Sequence, residues 1–191
     1  MFQFHAQNAI GKRGEELFLA AFPSWKPNNV TKCTEPDFID TRGHKAEIKF
    51  DVSPRARRDK NGNQLNFFME AISNDRKGTP GGIFRAHQEG VQYYVYMFQA
   101  PFRIFILDVP KTLQKTTEMI QSGSYRKCSI RNPNYNTIGY PLPIQAYQDC
   151  LVRPEALRPE ALRGEPAKVK NMRKRLECTL ENATPKRKKR I

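Results

Sequence analysis

One alternating segment, residues 46–50, constrains the fold of this chain more than any other. In a β-strand, side chains two residues apart lie on the same face, so Glu47 and Lys49 face one way while the three apolar residues of the segment face a core. Residues 41–44 are turn-like, which predicts an antiparallel hairpin that returns Asp37 to the side of Glu47. The sequence therefore predicts two carboxylates and one ammonium group close together at a sheet edge.

This combination of side chains is typical of a site for a hard divalent cation. Mg²⁺ prefers carboxylate oxygens and retains several waters, and Asp37, Glu47 and the carbonyl of Ile48 would supply protein ligands. Lys49 would then face an attacking water or a phosphate group. We therefore expect a Mg²⁺ site, in which Mn²⁺ would substitute, with Lys49 as a catalytic residue beside it.

Two short motifs, Pro36-Asp37 and Glu47-Ile48-Lys49, resemble the signature of the PD-(D/E)xK nuclease superfamily. This superfamily includes type II restriction endonucleases, archaeal Holliday junction resolvases and many phage recombination nucleases. The resemblance implies a restriction-endonuclease-like α/β core, in which helices flank a central mixed four- to five-stranded sheet. It also implies metal-dependent endonucleolytic hydrolysis of DNA phosphodiester bonds, leaving a 5′-phosphate.

A predicted first helix adds a third element. Residues 11–22 carry apolar side chains at helical spacing on the face that also carries Glu15. Resolvase-like members of the superfamily open with a comparable helix, whose glutamate completes the metal site, and the resemblance covers roughly the first hundred residues. Glu16 is the alternative to Glu15. The resemblance thus implies three metal-binding carboxylates and one lysine as the catalytic set: Glu15, Asp37, Glu47 and Lys49.

A large positive charge favours nucleic acid as the partner. The 191 residues include 33 Lys and Arg against 19 Asp and Glu, a formal net charge of +14. An excess of this size is typical of chains that bind a polyanion. We expect DNA contacts from basic residues around the predicted site, namely Lys12, Arg13, Arg55, Arg57, Arg58, Arg76 and Lys77.

The ends of the chain bear on its location. The chain has no apolar run of the length that crosses a bilayer, and its first residues lack the layout of a signal peptide. We therefore expect a soluble, intracellular protein with no membrane partner, in the cytoplasm of a bacterial or phage-infected cell. The basic cluster 186–190 is typical both of a nuclear localisation signal, which would indicate a nucleus, and of an arm that holds DNA electrostatically.

Composition divides the chain into three parts. Residues 1–127 predict the nuclease core, residues 128–150, rich in Asn, Pro, Tyr and Gly, predict an irregular extension, and residues 151–191 predict a linker and a flexible basic tail. In the tail, Arg-Pro-Glu-Ala-Leu occurs twice in succession from residue 153, and 13 Lys and Arg stand against 5 Glu, so +8 of the +14 lies there. Within the core, apolar patterns predict strands at 65–72, 91–98 and 102–109 and helices at 83–89 and 110–121.

Other interpretations of the same residues stay open. Glu70 would either add to the metal site or form a rim ion pair with Arg76 or Lys77. The predicted site could be only a solvated ion-pair cluster, which is common and nearly neutral in energy. The chain could also be a non-catalytic nucleic-acid-binding protein on a decayed nuclease fold, or a site-specific restriction-type endonuclease. The small core favours a structure-selective enzyme for junctions, flaps or replication and recombination intermediates, and junction cutting would require a homodimer.

Overall fold

The computed structural model describes residues 2–28, 36–52, 65–99 and 102–158, with side chains from residue 9 onward. These residues form three α-helices, two short 3₁₀-helices and nine strands in two sheets. In chain order the elements are α1 Phe2–Ala21, β1 Lys26–Pro27, β2 Phe38–Ile39, β3 Lys45–Asp51, β4 Asn66–Asn74, β5 Thr79–Pro80, α2 Gly82–Gln88, β6 Tyr93–Phe98, β7 Arg103–Asp108, α3 Val109–Gln121, β8 Cys128–Arg131, β9 Asn136–Pro143 and the 3₁₀-helices Ile144–Cys150 and Pro154–Leu157.

The first sheet has five strands in the order β1-β2-β3-β6-β7. Strand β6 runs parallel to β3 and antiparallel to β7, and the other neighbours are antiparallel. The predicted α/β fold with a mixed sheet is therefore confirmed. In the parallel pair, Glu47 lies opposite Tyr94 and Lys49 lies opposite Tyr96. This register fixes which side chains surround the predicted site.

Strand β6 is covered on both faces, which is typical of a continuous apolar run. Val95 and Met97 belong to a core cluster under α1, whereas Tyr94, Tyr96 and Phe98 belong to a second cluster that includes α2, α3 and β4. All five side chains are buried. Tyr94, Tyr96 and Phe98 therefore pack in the core.

A second sheet, in the order β5-β4-β9-β8, packs against the first. The ring of Phe67 on β4 contacts Tyr96 at a centroid distance of 4.8 Å and Phe105 at 5.3 Å. The Tyr96 hydroxyl donates to Asp51 at 3.2 Å and accepts from the backbone N–H of Phe68 at 3.2 Å. Apolar contacts and this buried polar chain thus help to join the two sheets.

The prediction of an irregular extension at 128–150 is wrong, because this segment supplies β8 and β9 of the second sheet. Its prolines and glycine argue against strands when the sequence is read locally. Pro141 and Pro143 lie beyond Gly139, where pairing with β8 ends, so their missing N–H groups cost no bond on that side. A Cβ at Gly139 would lie 2.6 Å from the Phe68 ring and 2.8 Å from the Met69 carbonyl oxygen, so close strand packing requires glycine there.

Residues 151–158, which composition assigned to the linker and tail, dock on the core. The Trp25 indole N–H donates to the Leu157 carbonyl at 2.7 Å, and both side chains are buried. The Val152 N–H donates to the Ile106 carbonyl at 2.8 Å. The first Arg-Pro-Glu-Ala-Leu unit is therefore part of the folded domain. The second unit and the rest of the predicted tail lie outside the described residues.

No helix within the four described ranges is both long enough and apolar enough to cross a membrane.

Candidate functional site

The predicted hairpin is present, and Asp40 organises its turn. β2 and β3 pair antiparallel, with Phe38 opposite Ala46. The Asp40 carboxylate accepts from the backbone N–H groups of Arg42 at 2.8 Å and His44 at 2.9 Å, and it pairs with the Arg42 guanidinium at 2.7 Å. Burial opposes ionisation, yet the bonds from His44 and Arg42 hold the pKa of Asp40 below its ordinary value. Asp40 is therefore a structural carboxylate of the turn.

The hairpin brings Asp37 to β3, as predicted. The Asp37 carboxylate accepts at 2.7 Å from the backbone N–H of Ile48, the residue that follows Glu47 on β3. Burial is the main cause that raises the pKa of Asp37 to about 6; the bond from Ile48 lowers it, and the charge of Glu15 raises it further. Asp37 is thus held beside β3 in a site that disfavours its charge.

Glu47 is buried, with 8% of its surface exposed, although the sequence suggested only that it faced away from the core. Its Oε1 accepts from Nη2 of Arg85, on α2, at 2.5 Å. Its Oε2 is buried and has no hydrogen-bond partner among the described residues. Burial and then the charge of Asp37 raise the pKa of Glu47 to about 7, and Arg85 opposes this rise only in part.

Helix α1 contacts β3 closely at Gly14. A Cβ at this position would lie 2.6 Å from the Phe50 Cβ, so only glycine permits this separation. The next residue, Glu15, is half-buried and its charge raises the pKa of Asp37. Glu16, the alternative, is exposed. The geometry therefore turns Glu15 toward the predicted site.

Lys49 interacts with the second sheet. Its Nζ lies 3.7 Å from Oε2 of Glu70 on β4, and the side chains are 37% and 16% exposed. The rim partners considered for Glu70, Arg76 and Lys77, are exposed in the turn after β4. Glu70 thus pairs with the predicted catalytic lysine.

Two glycines hold Glu70 in place. A Cβ at Gly81 would overlap the Glu70 carboxylate, and one at Gly82 would lie 3.0 Å from the Glu70 carbonyl oxygen and 3.3 Å from the Tyr94 hydroxyl. Burial, followed by the charges of Glu47 and Glu70, raises the pKa of Tyr94 well above its ordinary value. The loop before α2 therefore closes directly over Glu70 and next to the Tyr94 hydroxyl.

The sequence reasoning missed three residues near the site: Arg85, Glu89 and Tyr94. Arg85 and Glu89 are four residues apart on one helix face, and Arg85 Nε lies 3.8 Å from Glu89 Oε1. That spacing signals a helix ion pair. It could not indicate that Arg85 reaches Glu47, 38 residues away in sequence. Only the packing of α2 beside β3 brings them together.

The fit of a metal ion rests on Asp37 and Glu47. In the part of the chain that the structure describes, no group of three or more His, Cys, Asp or Glu side chains is arranged to hold a metal ion. Asp37 and Glu47 nevertheless fit one cation, because both are acidic groups in surroundings that penalise their charge and Oε2 of Glu47 is unsatisfied. A hard cation with two carboxylate ligands would complete its shell with water. Ligation by Glu15 stays a prediction.

The predicted DNA-contacting residues fall into two groups. Lys12 and Arg13 on α1 and Arg76 and Lys77 after β4 are exposed. The three remaining arginines, Arg55, Arg57 and Arg58, lie outside the described residues.

Comparison of the chain with protein-family models, with curated proteins and with solved structures gives no match in any of the three.

Proposed function

We propose that this chain is a metal-dependent nuclease that hydrolyses phosphodiester bonds of DNA. The observation that carries this proposal is that Asp37 and Glu47, two carboxylates whose surroundings disfavour their charge, converge beside the partly exposed ammonium group of Lys49. Perturbed carboxylates that share a site are typical of functional centres. The resemblance to the PD-(D/E)xK superfamily names the same residues, and the mixed sheet flanked by helices supports a restriction-endonuclease-like core.

The burial of Glu47 argues against a solvated ion-pair cluster. Exposed ion pairs contribute little to stability and need no particular geometry. Here, however, the Glu47 side chain is only 11% exposed and keeps one oxygen unsatisfied. Burying an incompletely paired charge destabilises a fold. A function that uses the charge explains why a carboxylate stands at this position better than a structural role does.

The proposed chemistry follows from the charge of the substrate. A phosphodiester is anionic, so its hydrolysis requires positive charge near the phosphate; bound Mg²⁺ would neutralise charge and make a water more acidic. Asp37 and Glu47 would hold this ion. Lys49 would donate a hydrogen bond from Nζ to a phosphate oxygen as negative charge develops there. Glu70 would orient Lys49, and Glu15 would orient a water or contribute a ligand.

We further propose a structure-selective substrate, such as a junction, a flap or a replication or recombination intermediate, and a homodimer that acts on it. The described residues form one compact domain around the site, which supports a substrate recognised by shape more than a long base sequence.

The test is cleavage of plasmid DNA and of duplex, single-stranded, flapped and four-way substrates, with Mg²⁺ and with Mn²⁺. The wild-type protein should cut, and Glu47→Gln and Lys49→Ala should abolish cutting while the protein stays folded. Glu118→Gln and Lys111→Ala are matched controls, because both positions are exposed on α3. A Glu47→Gln variant that cuts at the wild-type rate would falsify the assignment.

A second candidate, a non-catalytic DNA-binding protein, is favoured by the net charge of +14 alone. Binding of these substrates without cleavage in either metal would support it.

A further inference from the structure

The guanidinium group of Arg85 pairs with the carboxylate of Glu47, at the centre of the proposed site. Arg85 Nη2 lies 2.5 Å from Glu47 Oε1, and the Arg85 side chain is 27% exposed. The contact uses one Arg85 nitrogen and one Glu47 oxygen. Arg85 Nε is buried and makes no hydrogen bond within the described residues. The pair is therefore a single contact and lacks the two parallel bonds that make arginine–carboxylate pairs strongest.

This contact matters because a guanidinium and a divalent cation compete for the negative charge of the same carboxylate. In the protein without metal, Arg85 supplies the positive charge that the buried Glu47 requires, since an unpaired charge there would be costly. A metal ion bound to both Glu47 and Asp37 would supply that charge instead. It would also repel the adjacent guanidinium.

We propose that Arg85 is a built-in competitor for the metal: it pairs with Glu47 in the metal-free protein, and metal binding displaces it from Oε1. This inference rests on the proposed function, because it assumes that Glu47 is a metal ligand. Arg85 thus weakens the affinity for metal and balances the charge of Glu47 in the metal-free protein. Arg85 acts through Glu47, so it is a positioning residue and not a catalytic one.

Calorimetric titration with Mn²⁺ tests the competition without measuring activity. Arg85→Gln removes the competing charge and should tighten Mn²⁺ binding about ten- to a hundredfold, the range of a charge-assisted hydrogen bond. Arg42→Gln is the matched control, because Arg42 also pairs with a carboxylate, Asp40, at 2.7 Å but outside the site. It should bind Mn²⁺ with wild-type affinity.

The outcomes separate this inference from the proposed function. If the wild-type protein binds Mn²⁺ and cuts DNA, but Arg85→Gln binds Mn²⁺ no more tightly, the competition is wrong and the nuclease assignment stands. If neither protein binds Mn²⁺ and neither cuts DNA, both proposals fail.

A measurement on the unaltered protein covers the case in which Arg85→Gln does not fold. The ¹H–¹⁵N resonance of the Arg85 Nε–Hε group, assigned by its loss in Arg85→Lys, should shift during a Mg²⁺ titration, whereas that of Arg42 should not. An Arg85 resonance that stays unchanged at saturating Mg²⁺ would overturn the proposal.

Discussion

Lys49 Nζ lies 3.7 Å from Glu70 Oε2, and this ion pair connects strand β3 of the first sheet with strand β4 of the second. The pair holds the lysine that would act on the phosphate. We expect Glu70→Gln to lower the single-turnover cleavage rate about ten- to a hundredfold, the effect typical of a group that orients a catalytic residue. DNA affinity and thermal stability should change little, because Lys49 is partly exposed. A rate equal to that of Glu118→Gln would contradict this role.

Gly81→Ala should reproduce the effect of Glu70→Gln without changing any charged residue. Gly81 has a φ of −121°, which alanine adopts freely, and the nearest atoms to the new Cβ are those of the Glu70 carboxylate, which it would overlap. The carboxylate would move away from Lys49 and slow cleavage. The double variant with Glu70→Gln should be no slower than Glu70→Gln alone. Additive losses would show that Gly81 acts by another route.

Gly14→Ala should destabilise the fold, because its Cβ would meet the Phe50 Cβ at 2.6 Å and α1 would have to shift. Overpacking of this kind costs about 1–3 kcal/mol. Gly11→Ala is the control: a Cβ at Gly11 meets nothing within 4 Å, so alanine there should stabilise the helix by about 0.5–1 kcal/mol. Urea unfolding measures both. Equal stability of the two variants would exclude close packing at Gly14.

The raised pKa values predict an unusual pH dependence of stability. In the folded protein the pKa of Asp37 is about 6 and that of Glu47 about 7, above the ordinary 3.8 and 4.5. Between the ordinary and the raised pKa values, the folded state therefore binds more protons than the unfolded state. The stability that the protonated Asp37 and Glu47 contribute is complete below about pH 4 and is lost as the pH rises through about 6 to 7. Without metal, Tm should fall over this interval in the wild type, and the fall should be smaller in Glu47→Gln. An identical fall in both proteins would show that Glu47 does not titrate there.

Metal binding should show the opposite trend with pH. A cation requires ionised carboxylates, so Mn²⁺ must displace protons from Asp37 and Glu47 at low pH. The affinity for Mn²⁺, and the stabilisation that Mn²⁺ confers, should both be greater at about pH 8 than at about pH 5.5. Thermal unfolding at fixed Mn²⁺ concentration measures the second effect. A stabilisation independent of pH would place the ion elsewhere.

Local sequence determined much of the first sheet. Alternation over residues 46–50 and the turn before it were enough to predict the hairpin, because strand faces and turn residues are set by near neighbours. The apolar run at 91–98 was likewise enough to predict the strand that the structure shows as β6. The approach of Asp37 to β3 followed from the hairpin alone. These features need no knowledge of distant parts of the chain.

The second sheet depended on contacts that local sequence does not report. β9 contains Gly139, Pro141 and Pro143, which argue against a strand when read locally. The strand exists because it pairs with β4, some seventy residues earlier, and its prolines lie beyond the end of its pairing with β8. For the same reason the first repeat unit has the local pattern of a linker, although Leu157 is buried and its carbonyl accepts from the Trp25 indole.

The sequence by itself determined which face of β3 carries Glu47 and Lys49, because the two-residue period of a strand requires it. Only the tertiary structure decided what that face meets. The second sheet and α2 cover it, so that Glu47 is buried against Arg85 and Lys49 pairs with Glu70. Burial and ion pairing depend on residues far apart in sequence that the fold brings within a few ångströms, and those contacts convert an ordinary pair of charged side chains into a candidate active site.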